Sequence, residues 1–290
     1  MNYDTRHKTT VKGSVVADDG RALETTTFEP DDRPRGVVLL VPAMATPSRF
    51  YASFARWLAD RGFRAVTFDY RGMESIAAMK AERADVDRWA ADARAVLDAV
   101  ADDAGDLPVT WLGHSLGGQV IPFVDHSRIA RIVTVSAGNG YWRHNVGAIK
   151  WIAPAIWLGI SPVATRVAGY FPGSRLRLVG DLPTGVVRQW GRWCLHPDYL
   201  HRDHPDSAAL FAEVKAPIMS LSFTDDELLG ASSIASLHDW YTNAEQVRQR
   251  YSPDQLDGRR TGHHGFFRSS HEDLWDELVL PWVAGSQRQD

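Results

Sequence analysis

Ser115 lies in Gly113-His-Ser-Leu-Gly117, directly after the apolar run Val109-Thr-Trp-Leu112. A serine between a strand and a helix on so tight a turn needs small residues flanking it, which glycine two before and two after supplies, because larger side chains there would strike the backbones the turn brings together. Such a turn holds the hydroxyl clear of a sheet, where a base can reach it. A serine hydroxyl is a weak nucleophile until a base takes its proton, and that base must be held by a third group. The chain supplies both in the order such a scaffold requires. The acidic run Asp225-Asp226-Glu227 follows the strand-like Pro217–Ser222, and His263 stands in the glycine-flanked loop Thr261-Gly-His263-His264-Gly265. The chemistry implied is acyl transfer through a serine nucleophile. Ser115 could instead be a turn serine and His263 a loop residue capping the last helix. His264 is expected to point away from His263, and His114 to be a packed or hydrogen-bonded neighbour of the serine.

These residues need a scaffold, and the patterning supplies one. Residues 12–17 and 22–28 alternate around Asp18-Asp19-Gly20 as a β-hairpin. Gly36–Val41 is a continuous apolar run, as expected of a strand buried on both faces. Ser48–Arg61 reads as a helix with Ser48 as N-cap and Gly62 beyond its end. Strands at 64–69, 109–113 and 129–135 alternate with helices at 85–100 and from the Ser115 turn to about Val124. Strand and helix joined by short links predict a doubly wound, mostly parallel α/β sheet. After Val135 the alternation stops for roughly 80 residues, in a proline-punctuated stretch, and five of the 11 tryptophans lie between 142 and 193. A stretch of that length reads as an inserted helical cap rather than a bare loop. The expected organisation is a core of 1–136 and 214–290 with a cap of 137–213. A strand pattern resumes at 217–222, followed by a helix near 232–241, a strand near 245–251 and a closing helix from about Glu272.

Composition narrows the function classes. An apolar fraction of 44% and a charged fraction of 23% are those of an ordinary globule. A net charge of −4 without a basic stripe gives no reason to expect nucleic acid. The single cysteine, Cys194, excludes an internal disulfide and fits a reducing compartment. The polar N-terminus has no signal-peptide core, and the most apolar long window, 146–164, is broken by Lys150, Pro154 and Pro162. A cytoplasmic protein without a transmembrane segment is expected. Cys194, His196, His201 and His204 fit no standard zinc spacing, so no metal and no cofactor is expected.

The chain resembles the α/β-hydrolases of serine-esterase type, over about 28–136 and 214–290. Gly113–Gly117 matches their nucleophile elbow, and Gly262-His263 before Gly265-Phe-Phe267 matches their catalytic-histidine loop. Asp69-Tyr-Arg-Gly72 followed by Ser75 is similar to their D-x-R-G-x-G-x-S loop, with Glu74 in place of the second glycine. The resemblance implies an ester hydrolase with Ser115, Asp226 and His263 as triad. Aligning 218–222 with the family's late strand favours Asp226 over Asp225 by a margin of one residue. Where the family has His-Gly-x, this chain has Pro42-Ala43-Met44, and proline lacks an N–H. The family pattern then points to the N–H groups of Leu116 and Met44 as the oxyanion hole, with Ala43 the alternative to Met44. The aromatic cap implies a small apolar acyl substrate, with Trp151 and Trp157 as candidate binding residues. The same triad could serve an acyltransferase, and the fold could also belong to a non-catalytic ligand-binding protein.

Overall fold

A computed structural model describes residues 9–285. The polar stretch at 1–8, read above as lacking a signal-peptide core, lies outside the described residues. Eight strands form one sheet: β1 Thr10–Val16, β2 Ala22–Phe28, β3 Val37–Val41, β4 Arg64–Phe68, β5 Val109–His114, β6 Arg131–Val135, β7 Ile218–Phe223 and β8 Gln246–Tyr251. Their order is β1-β2-β4-β3-β5-β6-β7-β8. The hairpin partner β2 pairs antiparallel with β4, and all pairs from β4 to β8 are parallel. From β3 the chain winds one way to β4 and then back across to β5. The C-terminal ends of β3 and β5 therefore lie side by side, with Val41 opposite Gly113. Open α/β sheets bind their ligands at such a reversal.

Each face of the sheet has its own core, which is why the central strands are apolar without alternation. Val37, Leu39 and Val41 of β3 pack on one side with Trp111 and Trp89, while Val38 and Leu40 pack on the other with Phe54, Trp57 and Trp275. Burying each such aliphatic side chain contributes about 1.5–3 kcal/mol. The helices are α1 Ala52–Asp60, α2 Ile76–Ala81, α3 Val86–Ala104, α4 Ile149–Ala155, α5 Ser161–Ala168, α6 Thr184–Leu195, α7 Ser207–Glu213 and α8 Ala231–His238. A π-helical turn, Ile156–Ile160, joins α4 to α5, and the closing segment 272–283 combines α and π turns. Residues 137–213 thus carry helices and no strand of the main sheet.

Two expectations need correction. Ser48 does not cap α1: it opens a 3₁₀ turn, Ser48–Tyr51, and its N–H and hydroxyl both donate to the Asp69 carboxylate at 2.6 and 2.7 Å. A carboxylate accepting two bonds outcompetes a lone capping bond. After Ser115 there is no α-helix, only the 3₁₀ turns Ser115–Gly118 and Ile121–Phe123. Gly117 and Gly118 weaken a helix there and Pro122 removes a donor. The loop at 69–75 is held without its second glycine. Arg71 bonds the buried Asp92 of α3 at 2.6 and 2.8 Å and also Asp19 of the opening hairpin, while Glu74 pairs with Arg21.

His238 gives the fold an acid sensitivity. It lies buried, donating from Nδ1 to the Ile234 carbonyl (2.7 Å) and accepting from the Thr134 hydroxyl at Nε2 (2.8 Å). Burial, which disfavours the charged ring, pushes it down to about 4. Between the ordinary histidine value and 4 the unfolded chain therefore binds the extra proton. The contribution is complete above the unfolded value and is lost as pH falls toward 4. Urea melts at about pH 4.5 should show roughly 2 kcal/mol less stability than at about pH 7.5 from this residue, and His238→Gln should reduce the total difference by about that share. An unchanged pH slope in the variant would assign the acid sensitivity elsewhere.

Candidate active site

Ser115 follows the last residue of β5 with φ +50°. Non-glycine residues reach this region only under constraint. The constraint is visible on both sides. A Cβ on Gly113 would lie 2.4 Å from the Gly117 carbonyl, and one on Gly117 would lie 2.3 Å from the Val41 carbonyl oxygen. The Trp111 indole N–H donates to the Gly117 carbonyl at 2.8 Å and buttresses the turn from below. Ser115 lines a cavity of about 510 Å³ together with His263, His264, Met44 and Trp157.

The acids after β7 and the histidine loop are bonded together three times over. His263 Nδ1 lies 2.9 Å from Asp226 Oδ2, both residues being buried. The other oxygen of Asp226 accepts the N–H groups of Leu228 and Leu229, each at 2.9 Å. Burial pushes the Asp226 carboxyl up, but the His263 bond and charge and the two backbone donors hold it below the ordinary carboxylate range. Asp225 instead accepts the Thr261 N–H at 2.9 Å, and Glu227 accepts the His263 N–H at 3.1 Å. Each of the three acids thus holds the same loop at a different atom.

His114 is a hydrogen-bonded neighbour of the serine, bonded at both ring nitrogens. The Ala43 N–H donates to the Tyr51 hydroxyl (2.9 Å), and that hydroxyl donates to His114 Nδ1 (2.8 Å). His114 Nε2–H then donates to the His263 carbonyl at 2.9 Å. A carbonyl can only accept, so this chain fixes the tautomer of His114. Burial first, then the charges of His263 and His264, hold His114 well below the ordinary histidine value. The Ala43 N–H is consumed in this chain, which removes it as a free donor, while Met44 next to it lines the cavity. Contrary to the expectation that it points away, His264 turns to the same cavity as His263, its Nε2 3.3 Å from the Thr46 hydroxyl, which donates to the Met44 carbonyl. Burial and the neighbouring His263 push His264 down to about 4. The loops carrying His263 and Met44 are thus tied together twice by neutral imidazoles. Nothing in the spacing of His114 and Tyr51 signals this link, because it forms only when β5 and the turn at 48–51 meet.

One ring nitrogen from each of His114, His263 and His264 lies within 4.8 Å of the others, but both nitrogens of His114 and Nδ1 of His263 are spent on hydrogen bonds. Among the described residues, Cys194, His196, His201 and His204 do not gather as a ligand set. Cys194 lines the cavity, His201 bonds Ser207, and His204 bonds Asp87. Leu116 is buried behind the elbow. Trp157 lines the cavity, whereas Trp151 does not. On a helix Ile149, Ile152, Ala153 and Ile156 share the inward stripe, and residue 151 falls outside it.

Sheet order and topology are those of the α/β-hydrolase fold. A family model described as serine aminopeptidase, S33, matches residues 32–171. A monoacylglycerol lipase of Mycolicibacterium smegmatis is 30% identical over 94 residues, 32% of this chain and 34% of that protein. The chain therefore matches about a third of that curated relative's length. A soluble variant of monoglyceride lipase from Saccharomyces cerevisiae, solved with a substrate analog, superposes with TM-score 0.66 at 14% identity, covering 100% of this chain and 99% of that one. A thermostable carboxyl esterase from Bacillus coagulans, solved with glycerol, gives 0.65 at 14% identity, over 95% and 98%. No helix among the described residues is long and apolar enough to cross a membrane.

Proposed function

We propose that this chain is a serine hydrolase of carboxylic esters carrying an apolar acyl group. The observation that carries the reading is the His263–Asp226 bond beside the cavity that Ser115 also lines. Ser115 Oγ attacks the ester carbonyl as His263 Nε2 takes its proton, and Asp226 stabilises the imidazolium through Nδ1–H. The N–H groups of Leu116 and Met44 hold the oxyanion. The C–O bond breaks, and His263 returns the proton to the leaving alcohol. Water, deprotonated by His263, then cleaves the acyl-enzyme to free acid and Ser115. Residues 137–213 act as the lid, supplying Ile149, Ile152, Ile156, Trp157 and Trp190 to the acyl-side wall. The names of the relatives support a single-chain glycerol ester as one such substrate. The charge balance supports a reading without nucleic acid, and the single buried cysteine supports a cytoplasmic setting.

Fluorophosphonate labelling of the parent chain, absent in Ser115→Ala, tests the nucleophile. A panel of p-nitrophenyl esters, run with and without alcohol or thiol acceptors, tests the outcome. Hydrolysis unaffected by acceptors is expected, and dominant transfer to them would turn the reading into an acyltransferase. In the same panel Trp157→Ala should cut the preference for long over short acyl chains by about tenfold, since each buried methylene contributes about 0.8 kcal/mol. Trp151→Ala, outside the cavity, should leave the profile unchanged. A shifted profile in Trp151→Ala with none in Trp157→Ala would place the acyl site elsewhere.

A further inference from the structure

Residues 149–168 form one bent helix, because the junction residues Ile156 and Ser161 keep right-handed helical dihedrals. Its inner stripe lines the cavity. Its outer stripe faces solvent, where a helix ordinarily carries polar residues. Here Trp151 is 76% exposed, Leu158 70%, Val163 63% and Val167 82%. Ala155, Gly159 and Pro162 fill the positions between them, and Arg166 is the single charge on this stripe. A run of large apolar side chains over five turns is more than isolated surface hydrophobics, and such patches mark contact surfaces.

The charge within this segment of the chain is one-sided. The chain has 36 acidic residues, yet 137–180 contains none, while holding Arg143, Lys150, Arg166, Arg175 and Arg177. Elsewhere arginines are commonly paired, as Arg71 is with Asp92 and Arg128 with Asp98. Among the described residues none of these five cations has an ion-pair partner. Arg177 and Leu178 line the cavity, next to the exposed Arg175 and Leu176. An apolar stripe on a segment that carries cations without ion-pair partners and no acid of its own matches a surface that is apolar within and anionic at its boundary. A second copy of this face would bring like charges together.

We propose that the outer face of helix 149–168 docks on an anionic lipid surface. Trp151, Leu158, Val163 and Val167 enter the acyl boundary, and the five cations sit at headgroup level. The helix lies in the interface without crossing it, and its other side is the cavity wall.

Flotation with vesicles tests this and needs no turnover, so it stands or falls apart from the esterase reading. The parent chain should float with phosphatidylcholine vesicles containing about a third phosphatidylglycerol, about tenfold more than with phosphatidylcholine alone, and added salt should weaken the binding. Val163→Asp/Val167→Asp should lose about tenfold of that binding or more. Neither residue lines the cavity, so circular dichroism and turnover of a soluble short-chain ester should match the parent. Lys150→Gln/Arg166→Gln should lose most of the preference for anionic vesicles. Undiminished flotation of the double aspartate variant, or equal flotation on neutral and anionic vesicles, would overturn the proposal. So would an absence of flotation, and a dimer dispersed by the aspartates in sedimentation velocity would then assign the face to a second copy.

Discussion

Ser115→Ala is expected to fold as the parent chain does and to lose about 10³-fold or more of its turnover of an activated ester, the scale for a triad member. Alanine keeps the Cβ, so the glycine contacts of the elbow and the cavity shape are retained while the Oγ is gone. The backbone at φ +50° strains alanine about as it strains serine, so the thermal midpoint should move little. Measuring kcat/KM and the midpoint on one preparation separates the two effects. Near-normal turnover by the folded variant would remove Ser115 from the mechanism.

Asp226→Asn should be cripplingly slow near neutral pH, by an amount on the order of 10⁴ in kcat, as for the equivalent change in serine proteases. The geometry dictates why. Leu228 and Leu229 present N–H groups to one side of the carboxylate, so the asparagine oxygen turns to them and its NH₂ turns to His263. The ring must then accept at Nδ1 and carry its proton on Nε2, where it can no longer take one from Ser115. Asp225→Asn keeps an oxygen for the Thr261 N–H and should lose about tenfold or less. The opposite ranking, on folded proteins with one substrate, would give Asp225 the orienting role.

Some of this architecture was readable from residue types and some was not, for identifiable reasons. The strands at 37–41 and 109–114 announce themselves as continuous apolar runs, and the elbow between two glycines needs no neighbour to be recognised. The acid run and histidine loop are likewise visible, because each follows a strand at the sheet edge where such groups gather. Ser48 misleads, since a serine before an apolar period looks like a cap until Asp69 arrives from β4 to take its hydrogen bonds. The turns after Ser115 mislead because apolar spacing suggests a helix that Gly117, Gly118 and Pro122 do not support. Trp151 and Trp157 could not be told apart, because helix 149–168 is apolar on both its faces and periodicity then assigns no inside. The Tyr51–His114 link is wholly tertiary and leaves no local trace.

His263 is gripped at its carbonyl by His114, at its N–H by Glu227 and at its ring by Asp226. A residue so fully engaged has little room for local excursions, so its pose belongs to the cooperative unit of the sheet. Destabilising substitutions far from the cavity should therefore leave the turnover of each folded molecule almost untouched. They would reduce activity by lowering the number of folded molecules, so inactivation on heating should run parallel to global melting instead of preceding it.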